Sequence, residues 1–121
     1  VVDGIEAAMS RLAIYRLEGQ ANPFVRRFAE ILAECAGEIV SAIELLGRRQ
    51  LVQLRDHCVR LNLLENDGDT ALREALEALF HDGTDAIAII QWKEIYEMLE
   101  EATDFCEDVA NALESVAMKH A

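Results

Sequence analysis

Two stretches of this sequence bring carboxylates together at a spacing that could do chemistry. The first is Leu64-Glu65-Asn66-Asp67-Gly68-Asp69; the second is the acidic run Glu97, Glu100, Glu101, Asp104, Glu107 and Asp108. Glu65/Asp69 and Glu100/Asp104 share one form, Glu-x-x-x-Asp. On a helix that form sets both carboxylates on one face, one turn apart. Two such helices side by side would present four carboxylates. An oxygen-rich set of this kind suits hard or borderline cations such as Mg, Ca, Mn or Fe, and admits zinc.

Both stretches carry a cost that a plain helical protein would avoid. Glu65 falls in line with an apolar stripe, where a charge is expensive unless it is paired or metal-bound. Gly68, on the same face, gives up about 1 kcal/mol of helix propensity relative to Ala. Close helix approach, a salt bridge or a cation would each account for these choices. In the second stretch Glu97–Glu101, Glu100–Asp104 and Asp104–Asp108 are like-charge i,i+4 pairs, each unfavourable by about 0.2–0.5 kcal/mol. No Lys or Arg stands between Lys93 and Lys119 to offset them. A bound cation would reverse the penalty. A solvated acidic face is the competing reading, because a helical wheel sets Glu100 and Asp104 nearly opposite the apolar stripe of their own helix.

Other chemistry is poorly supplied. His57, His81 and His120 read as surface or capping residues, and none has a Glu three residues before it, as the helical di-metal enzymes require. Cys35, Cys58 and Cys106 lie far apart on apolar stripes and read as small core residues. Trp92 and Tyr96 read as packing. There is no phosphate-cradling glycine loop and no nucleophile motif. The chain is expected not to be an enzyme.

The elements that must position the carboxylates are helices. With 121 residues, 52% of them hydrophobic, the chain has the size of one domain and enough apolar side chains for a continuous core. One proline and six glycines leave little to interrupt helical spacing, which runs throughout. The expected fold class is all-α, an antiparallel up-down bundle forming a single domain over residues 1–121. Four helices are predicted. The first covers about Val1 to Leu17, with Val2, Ile5, Met9 and Leu12 at three-four spacing. The second runs from Pro23 to about Leu46, behind an Asn22 cap, on a stripe of Phe24, Phe28, Ile31, Cys35, Ile39, Ile43 and Leu46. Gly47 is its stop, or a kink. The third spans about Arg49 to Phe80 on Leu51, Leu54, Cys58, Leu61, Glu65, Leu72, Leu76 and Leu79, a stripe broken in its middle. His81-Asp82-Gly83 makes the next turn, and Thr84 or Asp85 caps a fourth helix from Ala86 to about Met118. That last stripe is Ile95, Met98 or Leu99, Ala102, Cys106, Val109, Leu113 and Val116. The three later helices, each of about thirty residues and so roughly 40 Å long, pack as antiparallel neighbours.

Charge narrows the partners. The formal net charge of −12 opposes binding to nucleic-acid phosphates and to anionic membrane surfaces. It favours cations and basic protein patches. The longest purely apolar run, Ala86 to Ile90, is far short of the roughly 18 residues of a membrane span, so no membrane insertion is expected. The sequence shows no secretory signal pattern and no disulfide framework, and a reducing, cytoplasmic setting is expected. The chain opens at Val1, already within a helical pattern, and is read as a fragment of a longer protein.

The segment WKEIYEMLEEATDFCEDVA (Trp92 to Ala110), taken with RLNLLENDGDTALREALEALF (Arg60 to Phe80), resembles the PhoU-like family. The nearest branch is that of the accessory proteins of low-affinity, Pit-type inorganic-phosphate transporters. The order Tyr-Glu-x-Leu-Glu-x-Ala-Thr-Asp-x-Cys-Glu-Asp, Tyr96 through Asp108, carries most of the match. The opening VVDGIEAAMSRLAIYRL resembles the family's middle helix. The resemblance implies two similar three-helix bundles related by pseudo-symmetry. It also implies surface metal clusters, iron or zinc, on repeated Glu/Asp-x-x-x-Asp motifs. Those motifs fall here on Glu65/Asp69 and Glu100/Asp104, with Glu97 as a neighbouring ligand, and Asp3 resembles the end of another. The chain would then be the second bundle plus one helix of the first. The implied role is regulation of phosphate transport by docking on a transporter or a signalling protein. Apolar surface left open by a missing bundle would favour a homodimer.

Overall fold

The computed structural model describes residues 6, 7, 9–11, 22–83 and 85–119. Three long helices carry the fold: α1 (Pro23–Gly47, 25 residues), α2 (Leu51–Asp82, 32 residues) and α3 (Ala86–Lys119, 34 residues). Residues 6, 7 and 9–11 are also helical, within the predicted first helix. Most of that helix, Asp3 included, lies outside the described residues. There is no strand among the described residues, and the all-helical expectation holds.

The helix boundaries follow local chemistry. Asn22 is extended, and its Oδ1 accepts the N–H groups of Phe24 at 2.9 Å and Val25 at 3.1 Å. Pro23 follows at the first helical position, where its missing N–H costs nothing. Asn22 also ties α1 to α3, because its Nδ2 donates to the Tyr96 hydroxyl at 2.8 Å. The α1 helix stops at Gly47, so the stop reading holds over the kink. The reversal is completed two residues later by Arg49, at φ 57°, with the Gln50 N–H donating to the Leu45 carbonyl at 2.9 Å. A left-handed arginine costs about 1–2 kcal/mol, and it delays the start of α2 from the predicted Arg49 to Leu51. At the far end α2 continues through His81 and Asp82, two residues beyond the predicted stop. Gly83 is required there by space, since a Cβ would sit 2.8 Å from Ile89 Cγ1 and against the Leu79 carbonyl. Asp85 caps α3 by accepting the Ile87 N–H at 3.1 Å; Thr84 lies outside the described residues.

Each of the three helices packs against the other two. The short turns make α2 antiparallel to α1 and to α3, which leaves α1 and α3 parallel. Phe28, Leu54, Leu61 and Ile95 are fully buried at the centre, with Cys35, Cys58 and Cys106 among them. Two expectations about the stripes are corrected. On α2 the stripe does not break at Glu65. It runs Leu54, Cys58, Leu61, Leu64, Gly68, Ala71 and Ala75, narrowing to small side chains, with Glu65 half-buried at its edge. On α3 the buried set includes Tyr96, Thr103, Ala110 and Ala117 at seven-residue spacing, beside Ile95, Leu99, Ala102 and Cys106. The buried face is therefore wider than the predicted stripe and turns toward α2. Ile43 of α1 and Val116 of α3, both predicted core, are 53% and 41% exposed.

Candidate metal centre

The α2–α3 seam builds the site. Gly68 lies against Thr103, so closely that a Cβ on residue 68 would fall 2.6 Å from Thr103 Oγ1. Thr103 is fully buried, and its hydroxyl donates back to the Glu100 carbonyl at 2.7 Å. With no side chain on residue 68, α2 closes directly onto the Thr103 side chain, and the flanking residues are drawn together. Glu65 and Asp69 on α2 bracket Gly68; Glu100 and Asp104 on α3 bracket Thr103. One carboxylate oxygen from each of the four lies within 4.8 Å of the others. Of the three explanations the sequence left open for Gly68, close helix approach is the one observed.

The electrostatics are unfavourable as they stand. Burial, above all, pushes the Glu65 carboxyl from its ordinary 4.5 up to about 8; hydrogen bonds with Glu107, Asp69 and Asp104 and the charge of Asp69 add to this. Glu100 is likewise raised to about 8, by burial first, then by hydrogen bonds with Asp69 and Asp104 and by their charges. Both shifts have one origin: carboxylates brought together in a partly dry seam resist ionising together. Among the described residues no Lys or Arg forms an ion pair with any of these acids; the ion pairs lie elsewhere, as in Arg27–Glu74 and Arg55–Glu114. The wheel reading that set Glu100 and Asp104 opposite the core is corrected in part. Asp104 is exposed, but Glu100 is half-buried, because Thr103 turns this face toward α2.

The donor chemistry fits a cation. Four carboxylates supply only hard oxygen ligands, and two of them, Asp69 and Asp104, stay open to solvent, which leaves room for water or a further ligand. An all-oxygen set suits iron or manganese better than zinc, which prefers nitrogen and sulfur. The histidines and cysteines take no part: the His57 ring Nδ1 pairs with Glu38 across the α1–α2 seam, His81 is exposed at the end of α2, and the three thiols are in the core.

Of the five residues singled out in the sequence, the structure brings four together. Glu97 stands apart, paired with Lys93 at 2.7 Å one turn earlier on α3. Glu107 is not among the four that converge, but it lies near enough to Glu65 to help raise that carboxyl. Its signal was present: it follows Glu100 by seven residues, which returns it to the same face after two turns.

Among the described residues no helix is long and apolar enough to cross a membrane. No family model matches the chain. All 121 residues align at 38% identity with the UPF0111 protein YkaA of Bacillus subtilis (strain 168), and they span 58% of that protein's length. In fold the chain is an all-helical bundle, and in sequence it is similar along its whole length to the UPF0111 protein YkaA.

Proposed function

We propose that this chain is a PhoU-like regulator or accessory protein of inorganic phosphate transport. It would hold iron or zinc on the α2–α3 carboxylate face and act, without catalysis, by docking on a transporter or a signalling protein in the cytoplasm. The observation that carries the metal half is the convergence of Glu65, Asp69, Glu100 and Asp104 within 4.8 Å, with no Lys or Arg among the described residues paired to them. A cation there would supply the charge compensation that the surrounding side chains do not. The phosphate half rests on the resemblance of Arg60–Phe80 and Trp92–Ala110 to the PhoU-like family. Exposed apolar side chains such as Val40, Ile43 and Phe105 support self-association as a further property. At a net charge of −12 a bare surface repels phosphate, so any direct contact with that anion runs through bound metal.

One observation favours a second reading, a helical interaction module that binds no metal. Glu65 and Glu100, raised to about 8, can hold protons near neutral pH and so relieve the cluster without a cation. The two readings differ in thermal response. A ligand of the native state raises the melting temperature by mass action, so iron or zinc stabilises the first and leaves the second unmoved. The deciding experiment is elemental analysis of protein purified without chelators or an affinity-column metal. Iron or zinc at near-integral stoichiometry, lost in a Glu100→Ala/Asp104→Ala variant, supports the metal reading. Protein that takes up neither metal would overturn it.

A further inference from the structure

We propose that the cavity where the start of α1, the end of α2 and the first turns of α3 meet binds the side chain of an arginine carried on a basic segment of a partner protein. Trp92 and Tyr96, one turn apart on α3, stack with ring centroids 5.8 Å apart at 27°. Phe24, at the start of α1, meets Tyr96 edge to face at 6.1 Å. Tyr96 is 4% exposed and its hydroxyl is held by Asn22, which fixes this aromatic wall in place. Trp92 and Phe24 are only half-buried. From α2 the lining takes Ala75 and Ala78, three residues apart on one face. These small side chains leave a cavity of about 300 Å³ beside the rings, open to solvent and edged by Asp82.

The lining favours a planar cation. Among the described residues that form it, Asp82 is the one side chain charged at neutral pH, and no ion pair engages it. Asp82 ends α2, where the carbonyls of the last turn add partial negative charge. The positive end of α1 also reaches the cavity, but its first amides are taken up by Asn22 Oδ1. Aromatic faces attract cations, and a guanidinium stacks flat on them while its N–H fork meets a carboxylate. The net charge of −12 draws basic partners toward the chain. The volume lies at the lower limit of small-molecule pockets, about 300–1,000 Å³, and the open side gives an enclosed ligand too little wall. A single side chain entering from a partner fits it better. Asp82 lies about 20 Å along α2 from Asp69, so the cavity is separate from the carboxylate cluster. The inference rests on the docking reading for the source of the arginine, and owes nothing to the metal.

The test uses the whole chain in chelator and an N-acetylated, C-amidated Gly-Ser-Arg-Ser-Gly peptide. Trp92 is the only tryptophan, so its indole N–H gives a single NMR resonance that reports on the cavity. The peptide should shift that resonance saturably. Its lysine counterpart should bind about threefold more weakly, lacking the planar fork, and its neutral citrulline counterpart should cause no shift. Asp82→Asn, at an exposed position, should weaken the arginine peptide about threefold. Glu65→Gln/Glu100→Gln should leave its affinity unchanged. An unmoved indole, citrulline binding as well as arginine, choline binding more tightly than either, or a shift governed by the Glu65/Glu100 variant and not by Asp82 would each overturn the assignment. The titration needs neither metal nor transporter, so its failure is distinct from a failure of the elemental analysis.

Discussion

In Gly68→Ala, helix propensity and packing act in opposite directions. Alanine in a helix interior is favoured over glycine by about 1 kcal/mol. Against that, the new methyl carbon would lie 2.6 Å from Thr103 Oγ1, 3.1 Å from Thr103 Cβ and 3.3 Å from Thr103 Cγ2. Thr103 is a poor side chain to displace. It is β-branched and fully buried, and its hydroxyl is held by the Glu100 carbonyl at 2.7 Å. Relief therefore requires breaking that hydrogen bond or spreading α2 from α3, and overpacking of this kind costs about 1–3 kcal/mol. The net expectation is a loss of about 1 kcal/mol, or about 4 °C in melting temperature for a domain of this size. Thr103→Ala removes Oγ1 and Cγ2, two of the three atoms that crowd position 68, and leaves only Cβ at 3.1 Å. In the Gly68→Ala/Thr103→Ala double variant the losses should therefore fail to add, by about 1 kcal/mol. Denaturant melts of the two single variants and the double measure all three quantities. A Gly68→Ala variant more stable than the parent by the full propensity gain, with an additive double variant, would refute the close seam. The four carboxylates would then lose the contact that draws them together.

Further outcomes follow from the same geometry. For metal-free protein, Glu65 and Glu100 keep protons in the folded state that the unfolded chain releases near its ordinary 4.5. Their contribution to stability is then fully present below about 4.5 and is lost as pH rises toward about 8. Thermal melts in chelator from pH 5 to 9 should show this decline, and Glu65→Gln/Glu100→Gln should flatten it. Glu97→Ala should leave bound iron or zinc unchanged by elemental analysis, since Glu97 faces Lys93, whereas Glu107→Ala should weaken metal retention during dialysis. Asn22→Ala removes a helix cap and the bond to Tyr96, and should cost about 2 kcal/mol in urea melts. Tyr96→Phe removes only the second and should cost about 1 kcal/mol.

Much of the architecture could be read from residue types alone. Asn22-Pro23 marks a helix start, and Gly47 and Gly83 mark reversals, because each acts through its own backbone. The Glu-x-x-x-Asp pairs were legible for the same reason: one turn of helix puts their carboxylates on one face. What escaped depends on contacts between helices. Gly68, Ala71 and Ala75 form a buried strip that a search for large apolar residues reads as a gap. Thr103 looks polar on a wheel, yet it is the residue α2 packs against, and it swings Glu100 into the seam. Glu97 is the exception: it resembled a ligand by charge and proximity in sequence, but its pairing with Lys93 is an i,i+4 contact within α3 that the spacing already offered. Glu107 carried the right spacing but was submerged in a run of six acids that spacing alone could not rank.

Asn22 has a consequence for how the bundle opens. Its Oδ1 holds the first amides of α1, and its Nδ2 holds Tyr96 of α3. One side chain thus spans two acts that would otherwise be separate, the winding of α1's first turn and the docking of α1 on α3. Neither is complete without the other, so the start of α1 behaves as part of a cooperative unit rather than as a fraying end. The amide protons of Phe24 and Val25 then become reporters on a distant event. Their exchange with solvent deuterium should slow or quicken together with that of the α3 amides around Tyr96.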